Sequence, residues 1–300
     1  MRHTALRWAA AVLVGCAAAM VAAAQAPQPK TLRNLEYARP ESGPLPLDLY
    51  LPETGGPFPL IVWIHGGAFR SGDKGGIWYK PILNQTQRGY AVASIDYRLS
   101  GSAKFPALVH DAKAAVRWLR ANAARYNLKA DRIVVAGESA GGYQATMLGT
   151  SGGVAELEGT LGNPKQSSRV QGVIDFFGPT DFLAMDDRAS SCQTPLVHRD
   201  PNSPESQLLG CTPGDCPERA KASNPITYVS GKAPPFLILH GTADCQVPHS
   251  QSQRLYDALR AAGVKADLHL LPDVGHGDRR FMTPETEKWV TEFVDSLLRK

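Results

Sequence analysis

The chain has 300 residues, and its 32 basic and 28 acidic residues give a formal net charge of +4. Without the two arginines among its first 26 residues the charge falls to +2 (4 − 2), and no basic run remains. This balance excludes any electrostatic reason to expect a nucleic acid or an anionic membrane surface as partner. The 274 residues that follow (300 − 26) are enough for one large α/β domain.

The first segment is predicted to be a signal peptide. An apolar, alanine-rich run from Trp8 to Ala24 follows the two arginines, and Ala24-Gln25-Ala26 has the small-x-small form of a signal peptidase site. We therefore predict an exported protein, periplasmic or extracellular, in which residues 1–26 are removed and residues 27–300 fold. A membrane anchor is the alternative for the apolar run, and lipid modification at Cys16 is a less favoured one, since only about six apolar residues would precede that cut. No later stretch is apolar for the roughly 18 residues that span a bilayer.

The rest of the chain alternates short apolar, β-branched runs with longer segments of helical period, which predicts an α/β fold with a mostly parallel sheet and helices on both faces. The predicted strands, the first two forming a hairpin, are Leu32–Ala38, Leu45–Leu51, Pro59–Ile64, Tyr90–Tyr97, Arg132–Ala136, Val170–Phe177, Pro235–His240 and Ala266–Leu271. The predicted helices are Pro106–Arg125, Gln251–Ala262 and Pro284–Leu298. In the first of these, apolar residues recur at helical spacing, and Arg117, Arg120 and Arg125 are expected on the helix surface.

Residues 179–232 interrupt this alternation, being rich in Pro, Ser, Asp and Cys without either period. Long loops without secondary structure are uncommon, so we predict a short cap with brief helices over the site. Three of the four cysteines that follow the signal peptide lie in it, and an even number in an exported chain predicts two disulfides rather than a zinc site. Cys211 and Cys216 flank the turn sequence Thr-Pro-Gly-Asp and are expected to pair, which leaves Cys192 for Cys245. Four cysteines permit three pairings, and the sequence leaves the other two open.

The candidate nucleophile is Ser139. Gly137-Glu138-Ser139-Ala140-Gly141 fits the G-x-S-x-G nucleophile elbow, in which a strained turn exposes the serine hydroxyl. The string is weak by itself, but the buried-strand run Ile133–Ala136 precedes it and a segment able to open a helix follows. The alternative is a tight turn with an inert serine.

A second loop supplies candidate donors for an oxyanion. His65-Gly66-Gly67-Ala68-Phe69 follows a predicted strand and resembles the HGGG loop of esterases. We expect the backbone N–H groups of Gly67 and Ala68, with that of Ala140, to form an oxyanion hole. Ala68 replaces the last glycine of that motif, but the donor is the main chain. His65 is expected to brace the loop rather than to react.

The candidate base is His276, in a glycine-flanked loop after the last predicted strand, and the candidate acid is Asp244, just after the preceding strand. The chain order Ser, Asp, His is the one that this fold uses, with separations of 105 (244 − 139) and 32 (276 − 244) residues. Asp273 is the alternative acid, but it lies too close to His276 in the same loop to approach the far ring nitrogen. The histidines assigned to a helix, a strand, a strand end or the cap are His110, His269, His240 and His198.

Taken in order, HGGAFRSGDK, DYRLS, FPALVHDAKAAVRWLRANA, GESAGG, PPFLILHGTADCQVP and GHG resemble the bacterial esterases related to hormone-sensitive lipase, especially the bifunctional feruloyl and acetylxylan esterase group. The resemblance covers roughly residues 31 to 300. It implies the α/β-hydrolase fold, the triad Ser139, Asp244 and His276, and hydrolysis of small or polysaccharide-linked esters without metal or organic cofactor. It says less about the substrate, and nothing about the oligomeric state.

Three alternatives remain open. A serine peptidase of the prolyl-oligopeptidase type shares this domain but usually carries a propeller, and the chain has no repeats. A non-catalytic binding protein could keep the fold. A lipase would need a broad apolar lid, whereas Asp186-Asp187-Arg188 and His198-Arg199-Asp200 in the predicted cap are polar.

Overall fold

The computed structural model describes residues 29–75, 79–186, 192 and 196–299. The predicted signal peptide, including Cys16, lies outside the described residues, as do Asp187 and Arg188 of the cap. None of the helices within these ranges is long and apolar enough to cross a membrane.

The described strands form one eight-stranded sheet in the order β1-β2-β4-β3-β5-β6-β7-β8. Their bounds are β1 Lys30–Ala38, β2 Leu45–Leu51, β3 Phe58–Ile64, β4 Ala91–Ile95, β5 Leu128–Glu138, β6 Gly172–Phe176, β7 Phe236–Gly241 and β8 Ala266–Leu271. β1 and β2 form the antiparallel hairpin, β2 also pairs antiparallel with β4, and the remaining neighbours are parallel. The predicted mostly parallel sheet is confirmed, with shifted strand ends; the largest shift is Leu128 in place of Arg132 at the start of β5.

The α-helices of the described residues are α1 Lys80–Leu83, α2 Ala107–Ala121, α3 Ala140–Thr150, α4 Ala155–Glu158, α5 Pro204–Leu209, α6 Pro217–Ser223, α7 Ser250–Ala261 and α8 Pro284–Leu298. The sheet separates two hydrophobic cores. In β3, Leu60, Val62 and Ile64 belong to the core beneath α2, α3 and α7, whereas Ile61 and Trp63 belong to the core beneath α1 and α8. This division follows from the two-residue period of a strand and confirms helices on both faces.

The expected surface position of Arg117 is wrong. This residue is only 1% exposed, and its guanidinium donates to the backbone carbonyls of Glu158 and Leu161 at 2.9 and 2.8 Å. Lys113, one turn earlier on α2, is also buried and donates to the Glu158 carboxylate at 2.9 Å. The helical period correctly gave the face against the sheet, but α4 and the chain after it cover part of the opposite face.

The segment between β3 and β4 was given no element by the sequence, yet it contains α1 and a 3-10 helix, Asn84–Arg88. Both are too short for a period to be recognised. The predicted cap contains α5 and α6, with one 3-10 turn before them, Phe182–Ala184, and one after them, Pro225–Tyr228. Several side chains of this segment belong to the same core as Leu60, Val62 and Ile64; they include Phe182, Leu208 and Leu209.

The structure contains two disulfides with the expected pairs. Cys192 is bonded to Cys245, with Cα atoms 5.6 Å apart, and Cys211 is bonded to Cys216, with Cα atoms 6.2 Å apart. The first joins the segment before α5 to the loop after β7, and the second closes the turn before α6. Two disulfides are typical of a protein exported to an oxidising compartment.

Candidate active site

Ser139 lies in a sharp turn between β5 and α3. Its φ of 52° and ψ of −118° are strained for a residue with a side chain, as the nucleophile elbow requires. The turn also needs its two glycines. A Cβ at Gly137 would lie 2.3 Å from the carbonyl oxygen of Gly141, and a Cβ at Gly141 would lie 2.0 Å from that of Ile64. No larger residue fits either position, so the turn depends on these two glycines. The turn presents the serine beyond the carboxyl end of the sheet.

The structure brings the three candidate residues together. Ser139 Oγ lies 2.9 Å from His276 Nε2, and His276 Nδ1 lies 2.6 Å from Asp244 Oδ2. Since the carboxylate can only accept, Nδ1 carries the proton and Nε2 is free to accept one from the serine hydroxyl. The alternative acid, Asp273, has no hydrogen bond from its carboxylate to His276 among the described residues; its backbone instead contacts Thr242.

Asp244 is held as a carboxylate by four donors. Oδ1 accepts from the backbone N–H groups of Gln246 and Val247, both at 2.9 Å, and Oδ2 accepts from His276 and, at 3.3 Å, from His240 Nε2. Burial alone would raise the pKa of Asp244, but the hydrogen bonds from the two histidines outweigh it and lower that pKa below its usual range. The acid therefore remains ionised when His276 takes up a proton. His240, expected to be structural, contacts the acid directly.

The predicted oxyanion residues lie beside Ser139. Gly67 and Ala68 follow β3 with φ values of 111° and 54°, and Ala140 is the first residue of α3. Their three backbone N–H groups have no hydrogen-bond acceptor within the described part of the chain. Each of these residues lines a cavity that Ser139 also lines: Gly67 one cavity, Ala140 another, and Ala68 both, so the donors are available to a ligand.

His65 braces this loop, as the sequence predicts. Its ring is buried, its Nδ1 donates to the carbonyl of Gly66 at 2.7 Å, and it stacks on Tyr97 with ring centroids 4.4 Å apart. The Tyr97 hydroxyl donates in turn to the His65 carbonyl at 3.0 Å. Burial lowers the pKa of the His65 ring, so the neutral form is favoured.

Two cavities meet at Ser139. An open cleft of about 340 Å³ passes along the glycine loop and includes Arg70, Gln246 and His276. A narrower pocket of about 30 Å³ reaches beneath the predicted cap, where His198 and Glu205 line it. Sequence reasoning left His198 in an unpatterned segment and did not single out Glu205. The string Ser203-Pro204-Glu205 does carry the signal of a helix start, a serine cap followed by proline, but nothing in it reveals which side chain faces a pocket.

Within residues 29–75, 79–186, 192 and 196–299, no group of three or more His, Cys, Asp or Glu side chains is arranged to hold a metal ion. The chemistry that these contacts support is proton transfer between a serine and a histidine, beside three unpaired N–H donors. That combination suits attack on a carbonyl carbon.

The BD-FAE family model matches residues 47–259. Esterase LipC of Mycobacterium tuberculosis is 31% identical over 222 residues, which are 74% of this chain and 53% of that protein. This chain spans about half the length of the first three curated relatives that it matches.

Similar solved structures include two carbohydrate-esterase proteins. A truncated carbohydrate esterase from gut microbiota has a TM-score of 0.80 and 33% identity, with 92% of this chain and 99% of that chain covered. A bifunctional GH43-CE protein of Bacteroides eggerthii has a TM-score of 0.79 and 36% identity, with 89% of this chain and 35% of that one covered.

Proposed function

Since the chain belongs to the BD-FAE family and has the α/β-hydrolase fold, we propose that it is an exported serine esterase with short-acyl or carbohydrate-linked esters, acetyl or feruloyl, as substrates. The observation that carries this proposal is the hydrogen-bonded series from Ser139 through His276 to Asp244, with distances of 2.9 and 2.6 Å. The similarity to a carbohydrate esterase over nearly the whole chain supports the substrate class.

In the proposed mechanism, His276 Nε2 takes the Ser139 proton as Oγ attacks the ester carbonyl. Asp244 keeps the ring oriented and stabilises the imidazolium, while the N–H groups of Gly67, Ala68 and Ala140 bind the developing oxyanion. The imidazolium then protonates the leaving alcohol. Water attacks the acyl-enzyme with His276 again as base, and the acid is released. No step uses a metal or organic cofactor.

The predicted cap is part of the proposal. Leu196, His198, Pro204 and Glu205 line the pocket over Ser139, which supports a cap over the site within residues 179–232. Its surface is less polar than the sequence suggested. His198 is buried, and Leu183, Leu196 and Val197 expose 50%, 37% and 47% of their surfaces. In the described part of the cap these few apolar side chains are accompanied by the Asp186–Arg199 ion pair, and so small an apolar surface disfavours a lipid-facing lid.

The proposal is tested by Ser139→Ala and His276→Ala. Each is expected to lower kcat for p-nitrophenyl acetate by about 10⁴-fold or more, because a nucleophile and base that act together fail when either is lost. Ser296→Ala, on the exposed surface of α8, is the matched control and should keep full activity. A fluorophosphonate probe should label the wild-type protein and the control, but not Ser139→Ala. If His276→Ala kept more than about a tenth of the activity, the assignment of the base would be wrong.

The second candidate is a serine peptidase of the prolyl-oligopeptidase type, since that class uses the same triad. It is separated by assaying an ester against the matching amide and a dipeptide anilide. A peptidase would cleave the anilide at a rate comparable to the ester, whereas the proposed esterase would cleave only the ester at a useful rate.

A further inference from the structure

A buried histidine and glutamate line the narrow pocket beside Ser139, and neither has a part in the proposed mechanism. His198 and Glu205 are 2% and 3% exposed. His198 Nδ1 lies 2.9 Å from Glu205 Oε2, and its Nε2 lies 2.9 Å from the backbone carbonyl of Gln246, in the loop that carries Asp244. Burial of ionisable groups is unfavourable even when they are paired, which favours a functional reason for their position beside the pocket.

The contacts fix what Glu205 can offer to a ligand. A carbonyl only accepts, so His198 Nε2 must carry a proton and donate to Gln246. Nδ1 and Oε2 then share one further proton: either an imidazolium faces a carboxylate, or a neutral ring accepts from a protonated acid. In both cases the other carboxylate oxygen, Oε1, is an acceptor. Glu205 Oε1 is therefore an acceptor whether the shared proton lies on His198 or on Glu205.

This oxygen has room for a donor in the pocket. Only Oε2 of Glu205 has a hydrogen-bond partner in the described part of the chain, and Glu205 lines the pocket together with Ser139 and His276. The remaining walls include apolar side chains such as Phe69, Leu196 and Val247. A small-molecule site usually consists of a mostly apolar wall with a small number of polar groups at defined positions.

The size of the pocket limits what can enter. A volume of about 30 Å³ holds roughly one or two water molecules, so it accepts a hydroxyl or hydroxymethyl group but not a long chain. An anionic group would contact Oε1, which has no proton to donate to it. A methyl group would exclude water from Oε1 and leave this oxygen without a hydrogen-bond donor. A neutral donor is the group that satisfies both the size and the chemistry.

We propose that Glu205, held by His198, accepts a hydrogen bond from a hydroxyl group of the ester substrate and so selects esters that carry a hydroxyl near the scissile bond. This inference rests on the proposed esterase function and deepens it, because hydroxyls next to an ester are abundant in acylated carbohydrates and absent from simple alkyl esters. Glu205 is a specificity-determining residue, and His198 is a positioning residue that orients it.

The hydroxyl could belong to the alcohol or to the acyl part of the substrate, and two matched pairs of esters distinguish these sources. For the alcohol part, 2-hydroxyethyl acetate is compared with propyl acetate. For the acyl part, ethyl glycolate is compared with ethyl propionate. Each pair exchanges a hydroxyl for a methyl of similar size. Rates are divided by those of alkaline hydrolysis, which removes the difference in intrinsic reactivity.

The wild-type protein is expected to prefer the hydroxylated ester in at least one pair by about tenfold in kcat/KM, as one hydrogen bond to a buried acceptor implies. Glu205→Met, which keeps the length but removes the acceptor, should abolish this preference. Glu205→Gln should keep most of it: with Nε2 donating to Gln246, a neutral His198 ring accepts at Nδ1, so the amide nitrogen faces the ring and the amide oxygen faces the pocket. Glu218→Met, at an exposed position of α6, is the control and should keep the full preference.

The preference is a ratio of two rates measured on the same protein, so partial misfolding of a variant does not change it. The preference of the wild-type protein is itself a test of the inference. Equal normalised rates in both wild-type pairs would overturn the inference, as would an unchanged preference in Glu205→Met. Hydrolysis of all four esters with no hydroxyl preference would overturn the role of Glu205 and leave the esterase proposal standing. Failure of the wild type to cleave any of the four esters or p-nitrophenyl acetate would instead overturn the proposed function and this inference with it.

Discussion

The Cys192–Cys245 disulfide offers a sharp test of how the predicted cap and the acid loop depend on each other. Cys245 directly follows Asp244, and the bond closes a chain separation of 53 residues. Replacing both cysteines, in Cys192→Ser/Cys245→Ser, removes the link without leaving a free thiol. Restriction of the unfolded chain by a loop of this length contributes about 4 kcal/mol to the free energy of unfolding.

The second disulfide provides the matched control. Cys211 and Cys216 are separated by 5 residues, for which the same relation gives about 2 kcal/mol. Unfolding in urea, followed by tryptophan fluorescence, should therefore show a loss of about 4 kcal/mol for the first double variant and about 2 kcal/mol for Cys211→Ser/Cys216→Ser. The longer loop should give the larger loss.

Catalysis should separate the two variants further. Asp244 keeps its bonds from the N–H groups of Gln246 and Val247 when the disulfide is lost, so its loop is loosened rather than released. We expect kcat for p-nitrophenyl acetate to fall by about tenfold in Cys192→Ser/Cys245→Ser, and by less than twofold in the control. Full activity in the first variant, or an equal loss in both, would refute the idea that this bond positions the acid.

Three further outcomes are expected. Asp244→Asn should lower kcat by about 10³-fold, somewhat less than loss of Ser139 or His276, and the fall would be measured at saturating ester; a loss below tenfold would point to another acid. The value of kcat/KM should fall in acid, since a protonated His276 cannot accept the serine proton, and a flat profile would contradict a histidine base. Burial raises the pKa of Asp175 from 3.8 to about 6, so the folded state binds the proton more tightly than the unfolded state and the free energy of unfolding should fall by about 2 kcal/mol as pH rises from about 4 to 7. Asp175→Asn should lack this fall, which urea titrations of both proteins at each pH would measure; parallel pH profiles would refute the assignment.

The parts of the site that the sequence predicted are those in which neighbouring residues determine the geometry. The glycines around Ser139 are required by contacts within a few residues and with the adjacent strand. The order of strands in a parallel sheet then brings the ends of β5 and β7 and the loop after β8 to one edge, where Ser139, Asp244 and His276 lie. The nucleophile motif and the sheet topology together were sufficient to predict that these three side chains meet, without knowledge of any contact between distant side chains.

The parts that escaped prediction depend on what packs against a residue from far along the chain. The period of α2 gives its inner face but cannot show that Glu158, 41 residues after Arg117, supplies acceptors on the other side. His198 and Glu205 are only seven residues apart and still gave no signal, because the second partner of His198, the carbonyl of Gln246, comes from the acid loop. A polar residue in an unpatterned segment is read as solvated unless its distant partner is known.

The distant contacts around the candidate site converge on one short loop. Residues 244–247 are tied to the predicted cap by the Cys192–Cys245 bond and by His198, and to β7 by His240, whose Nε2 contacts both Asp244 and the carbonyl of Val247. The nucleophile, in contrast, is fixed by its own turn. The position of the acid and the shape of the narrow pocket are therefore set by the same contacts. We therefore expect a change in the cap to alter catalysis through Asp244 and substrate choice through Glu205.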